Sequence, residues 1–298
     1  MIKVSIIIPV YNVAKYIERC LQSVYLQTYT NIEVLIIDDC GKDNSMQLIN
    51  LFLDKITDSR FRIIHHPENR GLSAARNSGI KESSGDYIYF IDSDDYITEN
   101  CIETFVELIR QHPNSDVVFG SAIFYPNNWG NYCINVKNSN IPISSNNKKW
   151  IKSNFYQDDF FPITAWNKLI SKDFIIRNAL YFKEGIVYED QLWYFLMGNY
   201  CNIISFNKND TYFYQNNSTG IMHNYGIKEM DSEITIIKEC LNHIDYRYFL
   251  LQLVYIMHFA HVAYCRRYGS SQPSCIRYPK AFIFFLKCIF IKPEHLRL

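Results

Sequence analysis

The 298-residue chain carries no net charge, because 30 Lys and Arg balance 30 Asp and Glu. It has no C-x-x-C spacing either: its nine cysteines are odd in number and scattered from Cys20 to Cys288. That excludes a zinc ribbon and a disulfide framework and points to a reducing compartment. The eleven glycines form neither G-x-G-x-x-G nor G-x-x-x-x-G-K-[ST], so neither a dinucleotide fold nor a P-loop is supported. The most apolar stretch, residues 281–291, is broken by Lys287 and falls short of the roughly 20 residues of a membrane span. The N-terminal apolar run ends at Pro9 and is too short for a signal peptide, so a cytoplasmic start is expected. No internal repeat of 20–50 residues is visible.

The zero charge hides two regions. Residues 246–298 hold eight Lys and Arg and one acid, Glu294, a balance of +7; the other 245 residues therefore carry −7. Such asymmetry suggests a basic tail with an anionic partner on an acidic main domain. Hydrophobic content of 48% and aromatic content of 16% suffice for a large core and argue against disorder.

Residues 4–8 are a continuous apolar, β-branched run, as expected of a strand buried on both faces. Residues 14–25 space Tyr16, Ile17, Cys20, Leu21 and Val24 as a helix does. Further strands are expected at 33–37, 61–65, 86–91 and 116–120. Helices should lie between them at 45–55 (capped by Asp43 or Asn44), 71–81 and 98–111 (capped by Thr98). This alternation predicts an α/β fold with a mostly parallel sheet and helices on both faces. Residues 125–147 hold eight Asn in 23 positions and read as a loop. A helix near 148–156, a mixed segment and a helical part from about 228 follow.

Ligands of an open parallel sheet bind at the carboxyl ends of the strands. Strand one ends in Pro9-Val10-Tyr11-Asn12, strand two in Asp38-Asp39, and strand four in Asp92-Ser93-Asp94-Asp95. Five carboxylates there would repel one another unless a cation sits among them. Asp-x-Asp after a buried strand suits Mg2+ or Mn2+, which take carboxylate and phosphate oxygens. The aspartates could instead be turn formers and caps. Arg70 and Arg76 are the candidate phosphate cations.

These motifs in this order, namely IIIPVYN, the strand-ending DD with its x-x-x-D-x-S, NRGLSAARN-x-G and GDYIYFIDSDD, resemble the family-2 glycosyltransferases of GT-A fold. The match is dense over about residues 3–120 and continues through AWNKL, Tyr188-Glu189-Asp190 and Tyr212-Phe213-Tyr214. The resemblance implies a GT-A catalytic domain over 1–227, with a nucleotide-sugar half (1–120) and an acceptor half (121–227). A helical region over 228–298 follows. It implies that Pro9 and Tyr11 border the base, that Asp39 accepts from a uracil imide, and that Arg76 lies near the base and diphosphate. Asp92 and Asp94 would form the metal motif, with Asp94 the direct ligand and Asp95 in support. Asp190 would be the catalytic base, with Glu189 its alternative, and Trp166, Asn167 and Lys168 would shape the acceptor side. The implied activity is inverting, metal-dependent transfer of a hexosyl or N-acetylhexosaminyl group from a UDP-sugar to a saccharide or lipid-linked acceptor in bacterial surface polysaccharide synthesis. A non-catalytic nucleotide-sugar-binding component is the alternative. The chain departs from the pattern at Cys40-Gly41, where a changed turn is expected. It departs again at Gln215, where the family often has an Arg; His223 is the candidate substitute.

The basic C-terminal region has 12 aromatics in 53 residues. Its apolar stretch suits no solvated base-stacking platform, so nucleic acid is not the expected partner. Two readings stay open for it: an amphipathic segment at the inner face of the membrane, and plain helix packing. His258 and His261 are read as packing residues.

Overall fold

The computed structural model describes residues 1–125, 141–157, 161–215, 217, 226–268 and 285. The N-terminal half alternates strand and helix: β1 (Val4–Val10), α1 (Ile17–Tyr25), β2 (Ile32–Asp38), α2 (Ser45–Ile56), β3 (Phe61–His65), α3 (Leu72–Glu82) and β4 (Tyr87–Phe90). Next come β5 (Tyr96–Ile97), α4 (Cys101–Gln111), β6 (Val117–Tyr125), β7 (Ser144–Ser145) and α5 (Lys148–Phe155). The chain continues through β8 (Lys168–Ser171), α6 (Lys172–Arg177), α7 (Glu189–Tyr200), β9 (Ile204–Gln215), α8 (Ile227–Asn242) and α9 (Phe249–Tyr268).

The strands form one sheet in the order β3-β2-β1-β4-β8-β6-β9-β5, with β7 on β9. The β3-β2-β1-β4 half is parallel throughout. β8 then runs antiparallel between β4 and β6, and β6 pairs β9 in parallel. Alternate residues of β1 and β2 enter different cores, as period-two geometry requires. Ile7, Leu35 and Ile37 join a core with α3, α5, α7, α8 and α9. Ile6, Ile8, Val34 and Ile36 join a second with α1, α2 and α4. The expected GT-A-type α/β sheet with helices on both faces and a helical C-terminal part is the architecture found.

Local details differ from the sequence pattern. Asp43, not Asn44, serves the start of α2, accepting from the Ser45 N–H at 3.0 Å. Thr98 does not cap α4, whose N-cap position is Asn100; the Thr98 hydroxyl bonds the Asn100 side chain instead. Asp190 lies in the first turn of α7, after an N-cap Tyr188 with φ +61°. Much of the Asn-rich loop, His223 and, apart from Phe285, the stretch 281–291 lie outside the described residues.

Pairing β1 with both β2 and β4 puts Val10, Asp38 and the turn after Phe90 on one edge. Helix α3 approaches β1 closely at Gly79, where a Cβ would lie 2.4 Å from Ile7 Cγ2. This contact sets the height of Arg76, one turn earlier on α3. Gly79→Ala should overpack that contact and cost about 1–3 kcal/mol in urea unfolding.

Candidate active site

On the donor side, Tyr11 is 46% exposed at the end of β1, while Pro9 is buried within the strand opposite Ile37. Asp39 is only 2% exposed. Its Oδ1 lies 2.6 Å from His66 Nδ1 and accepts from the Arg70 N–H at 2.9 Å. Its Oδ2 accepts from the Gly71 N–H at 2.8 Å and the Asn69 amide at 3.0 Å. Four partners fill the roughly four acceptor sites of a carboxylate, so in this conformation Asp39 shapes the Asn69-Arg70-Gly71 loop. A uracil imide would have to displace one of them. Arg70 turns its guanidinium away, to Glu184 at 3.2 Å.

At Cys40-Gly41, where a changed turn is expected, the chain turns back against Asn12 and His66. Cys40 adopts φ +55°, and its thiol bonds the His66 carbonyl at 2.9 Å. A Cβ at Gly41 would meet the Asn12 backbone nitrogen at 2.9 Å, while Asn12 Oδ1 accepts from the Lys42 N–H at 2.6 Å.

After β4 the chain turns through Asp92, Ser93, Asp94 and Asp95. Asp95 is fully buried and accepts from the Tyr212 hydroxyl at 2.5 Å and the Gln215 N–H at 2.7 Å. Burial, then Asp94 and Asp92, push its carboxyl well above the usual range. Asp94 accepts from the Asn217 amide at 3.0 Å; burial and the neighbouring Asp92 push it up to about 6. Trp166 stacks on Tyr212, ring centroids 4.5 Å apart, and is buried. Asn167 is buried too, at φ +57°, bonding the Ser121 carbonyl at 2.8 Å and the Tyr89 hydroxyl at 3.0 Å. Both residues, expected on the acceptor side, make framework contacts behind the aspartate turn.

Arg76 ties this turn to α7. Its Nη2 lies 3.0 Å from Asp92 Oδ1 and its Nη1 2.5 Å from Glu189 Oε1. Burial opposes its charge, and Asp92, Glu189 and Asp190 more than offset that, raising its pKa. Next to Glu189, burial and the Glu189 charge push Asp190 up to about 7, while Arg76 and Lys168 pull it down. Lys168 is fully buried, hydrogen-bonded to the Thr164 carbonyl; burial pushes its ammonium down to about 7 against the pull of Asp190. Asp190 and Lys168 are therefore close enough for each to shift the other.

The family model described as glycosyl transferase family 2 matches residues 5–177. The chain belongs to glycosyl transferase family 2. This family-2 transferase is 30% identical to glycosyltransferase GlyG of Streptococcus pneumoniae over 74% of its own length and 72% of GlyG. Its fold matches S. aureus TarS crystallised with UDP at a TM-score of 0.69 and 22% identity, over 99% of this chain and 83% of the TarS chain. It also matches a mannosyltransferase of Pyrobaculum calidifontis, crystallised with GDP-Man and Mn2+, at a TM-score of 0.63 and 14% identity, over 98% and 88% of the chains.

The transferase's donor set fits a hard divalent ion. Among the described residues no group of three or more His, Cys, Asp or Glu forms a cage. Mg2+ needs none, since one or two carboxylates plus substrate phosphates hold it. Asp92 and Asp94 would supply those carboxylates, and a cation there would offset the burial and the Asp92 charge that lift Asp94.

Pattern reading missed several participants. Tyr212 and Asn217 hold the aspartate turn, and Arg19 reaches it from α1, with Nη2 2.8 Å from Gln215 Oε1 and its guanidinium 4.2 Å over Tyr96. Gln215 thus stands beside a guanidinium supplied by another element. The order Tyr-Phe-Tyr was visible in the sequence; the approach of Arg19 had no local signal.

As a catalytic base Asp190 would have to be ionised to take a proton, and turnover should then rise with pH through a midpoint near 7. Of the charged groups acting on it, Glu189 and Asp92 raise that midpoint, and Arg76 and Lys168 lower it. Lys168→Met removes a lowering charge and should move the acid limb of the kcat/KM profile upward; an unmoved limb would refute the coupling.

Proposed function

We propose that this family-2 transferase moves a hexosyl or N-acetylhexosaminyl group from a UDP-sugar to a saccharide or lipid-linked saccharide, with inversion, in bacterial surface polysaccharide synthesis. The observation that carries this reading is the single buried guanidinium of Arg76. It contacts both Asp92 of the aspartate turn and Glu189 beside Asp190, so the donor's diphosphate end and the base occupy one frame.

An acceptor hydroxyl is a poor nucleophile near neutral pH, and Asp190 accepts its proton as the new C–O bond forms. Attack comes from the face opposite the departing UDP, so an α-linked donor gives a β-glycoside. Arg76 and the Asn69–Gly71 loop position the nucleotide, and Tyr11 offers an exposed ring for the base. Mn2+ or Mg2+ at Asp92 and Asp94, when bound, supplies Lewis-acid stabilisation of the leaving diphosphate. A uridine donor is supported by the fold's likeness to TarS, which was crystallised with UDP. The metal finds support in the Mn2+ of the mannosyltransferase.

The protein is proposed to work in the cytoplasm at the inner face of the plasma membrane. Residues Tyr246–Arg267, with a mean hydropathy of 1.3, are long and apolar enough to cross a membrane by length and composition, yet 39% of that window is buried in this fold. Leu250 and Val254 point outward, 73% and 61% exposed, beside a basic sequence suited to anionic lipid.

Incubation with a panel of UDP-sugars and Mn2+, with and without acceptors, should release UDP. Asp190→Ala should lower transfer by about 100-fold or more with UDP affinity kept; UDP binding indifferent both to Asp94→Ala and to chelator would remove the metal from the reading. For the membrane, Leu250→Glu/Val254→Glu should abolish co-sedimentation with anionic liposomes, and undiminished binding would leave α9 without that role.

A further inference from the structure

The sequence reads His258 as a packing residue, and the structure puts the aromatic, basic stretch around it against α7. Tyr255, His258, Phe259, Val262 and Arg266 recur at helical spacing on α9 and wall a cavity of about 190 Å3 between α9 and α7. The opposite wall includes Gln191 and Tyr194 of α7 and Gln157 beyond α5. Asp190 and Tyr194 are i and i+4 on α7, hence neighbours on one helix face, and Gln191 follows Asp190 directly. The α7 wall of the cavity therefore starts one residue after the candidate base. Both α7 and α9 lie beyond the part of the chain that the family model matches.

The lining has the chemistry of sugar recognition. Tyr194, Tyr255 and Phe259 offer ring faces and edges for the apolar C–H face of a pyranose. Gln157, Gln191, His258 and Arg266 offer amide, imidazole and guanidinium groups for its hydroxyls. The volume lies below the roughly 300 Å3 at which pockets for drug-sized ligands begin, so it suits one ring. Two contacts link the cavity to the base. The Tyr255 hydroxyl donates to Gln191 Oε1 at 3.2 Å. The Arg266 guanidinium lies 4.8 Å over the ring of Tyr188, which precedes Glu189-Asp190, and is held there by Glu233 at 3.1 Å.

We propose that the cavity between α7 and α9 is the acceptor subsite and binds one pyranose ring of the saccharide that receives the transferred sugar. This rests on the glycosyl-transfer reading and adds where its second substrate sits. The C-terminal helix is then part of the substrate site as well as a packing element.

Saturation-transfer NMR on the full chain, with UDP and Mn2+ present, tests the subsite. The probes are methyl β-D-glucopyranoside, methyl β-D-galactopyranoside and methyl N-acetyl-β-D-glucosaminide. At least one should bind, and Gln157→Ala/His258→Ala should weaken it about tenfold or more, as the loss of two hydrogen bonds implies. Tyr255→Phe, which removes one hydroxyl and little packing, is the second variant and should weaken the same probe. UDP affinity by calorimetry confirms that each variant is folded. Binding of none of the three probes, or equal binding by wild type and both variants, overturns the proposal. UDP release from donors without acceptor is measured in parallel. If it proceeds while probe binding ignores the variants, the subsite alone falls. If no donor is turned over while probe binding follows the variants, the donor reading alone falls.

Discussion

The guanidinium of Arg76, 2% exposed, lies between the carboxylates of Asp92 and Glu189, and the arrangement of the site depends on it. A buried charge is tolerated only with partners, and removing one member strands the others at several kcal/mol. Arg76 therefore fixes the distance between the turn after β4 and the start of α7, two segments almost 100 residues apart in sequence. It has two carboxylates and one charge to balance them, which leaves the site acidic. That residual charge makes a divalent ion suit Asp92 and Asp94, and, after burial, the Glu189 charge raises the pKa of Asp190.

A second constraint acts from behind. Asp95 is buried with the Tyr212 hydroxyl and the Gln215 N–H, and Trp166 stacks on Tyr212. Strand β9 thus grips the aspartate turn by its fully buried member, while Asp92 and Asp94 stay only partly buried. The three aspartates of one short motif differ in partner: Asp95 meets β9, Asp92 meets Arg76 and Asp94 meets Asn217. On the donor side, Asp39 spends its acceptors on a loop, so the shape of the Asn69-Arg70-Gly71 segment depends on a residue that the resemblance assigns to the nucleotide base.

The basic region also changes meaning once folded. Its described part, α9, enters the same core as α7 and α8, turns Leu250 and Val254 outward, and sets Tyr255, His258 and Arg266 towards a cavity. Packing and surface roles are not alternatives for one helix, because its faces are distinct. His258, read from the sequence as a packing residue, lies on the cavity wall.

The sequence by itself determined the alternation of buried strands and amphipathic helices, and with it the sheet and its carboxyl edge. The reason is that periodicity and β-branched runs are local properties. It also disclosed the aspartate motif and Glu189-Asp190, whose order along the chain carries the family likeness. Only the tertiary structure decided which carboxylates face each other, which are spent on the framework, and which cation serves which group. Arg76 meeting Glu189, Arg19 reaching Gln215, and Trp166 and Asn167 turning inward are long-range contacts. Each is set by how the helices and β9 pack on the sheet, and no spacing within a single segment encodes it.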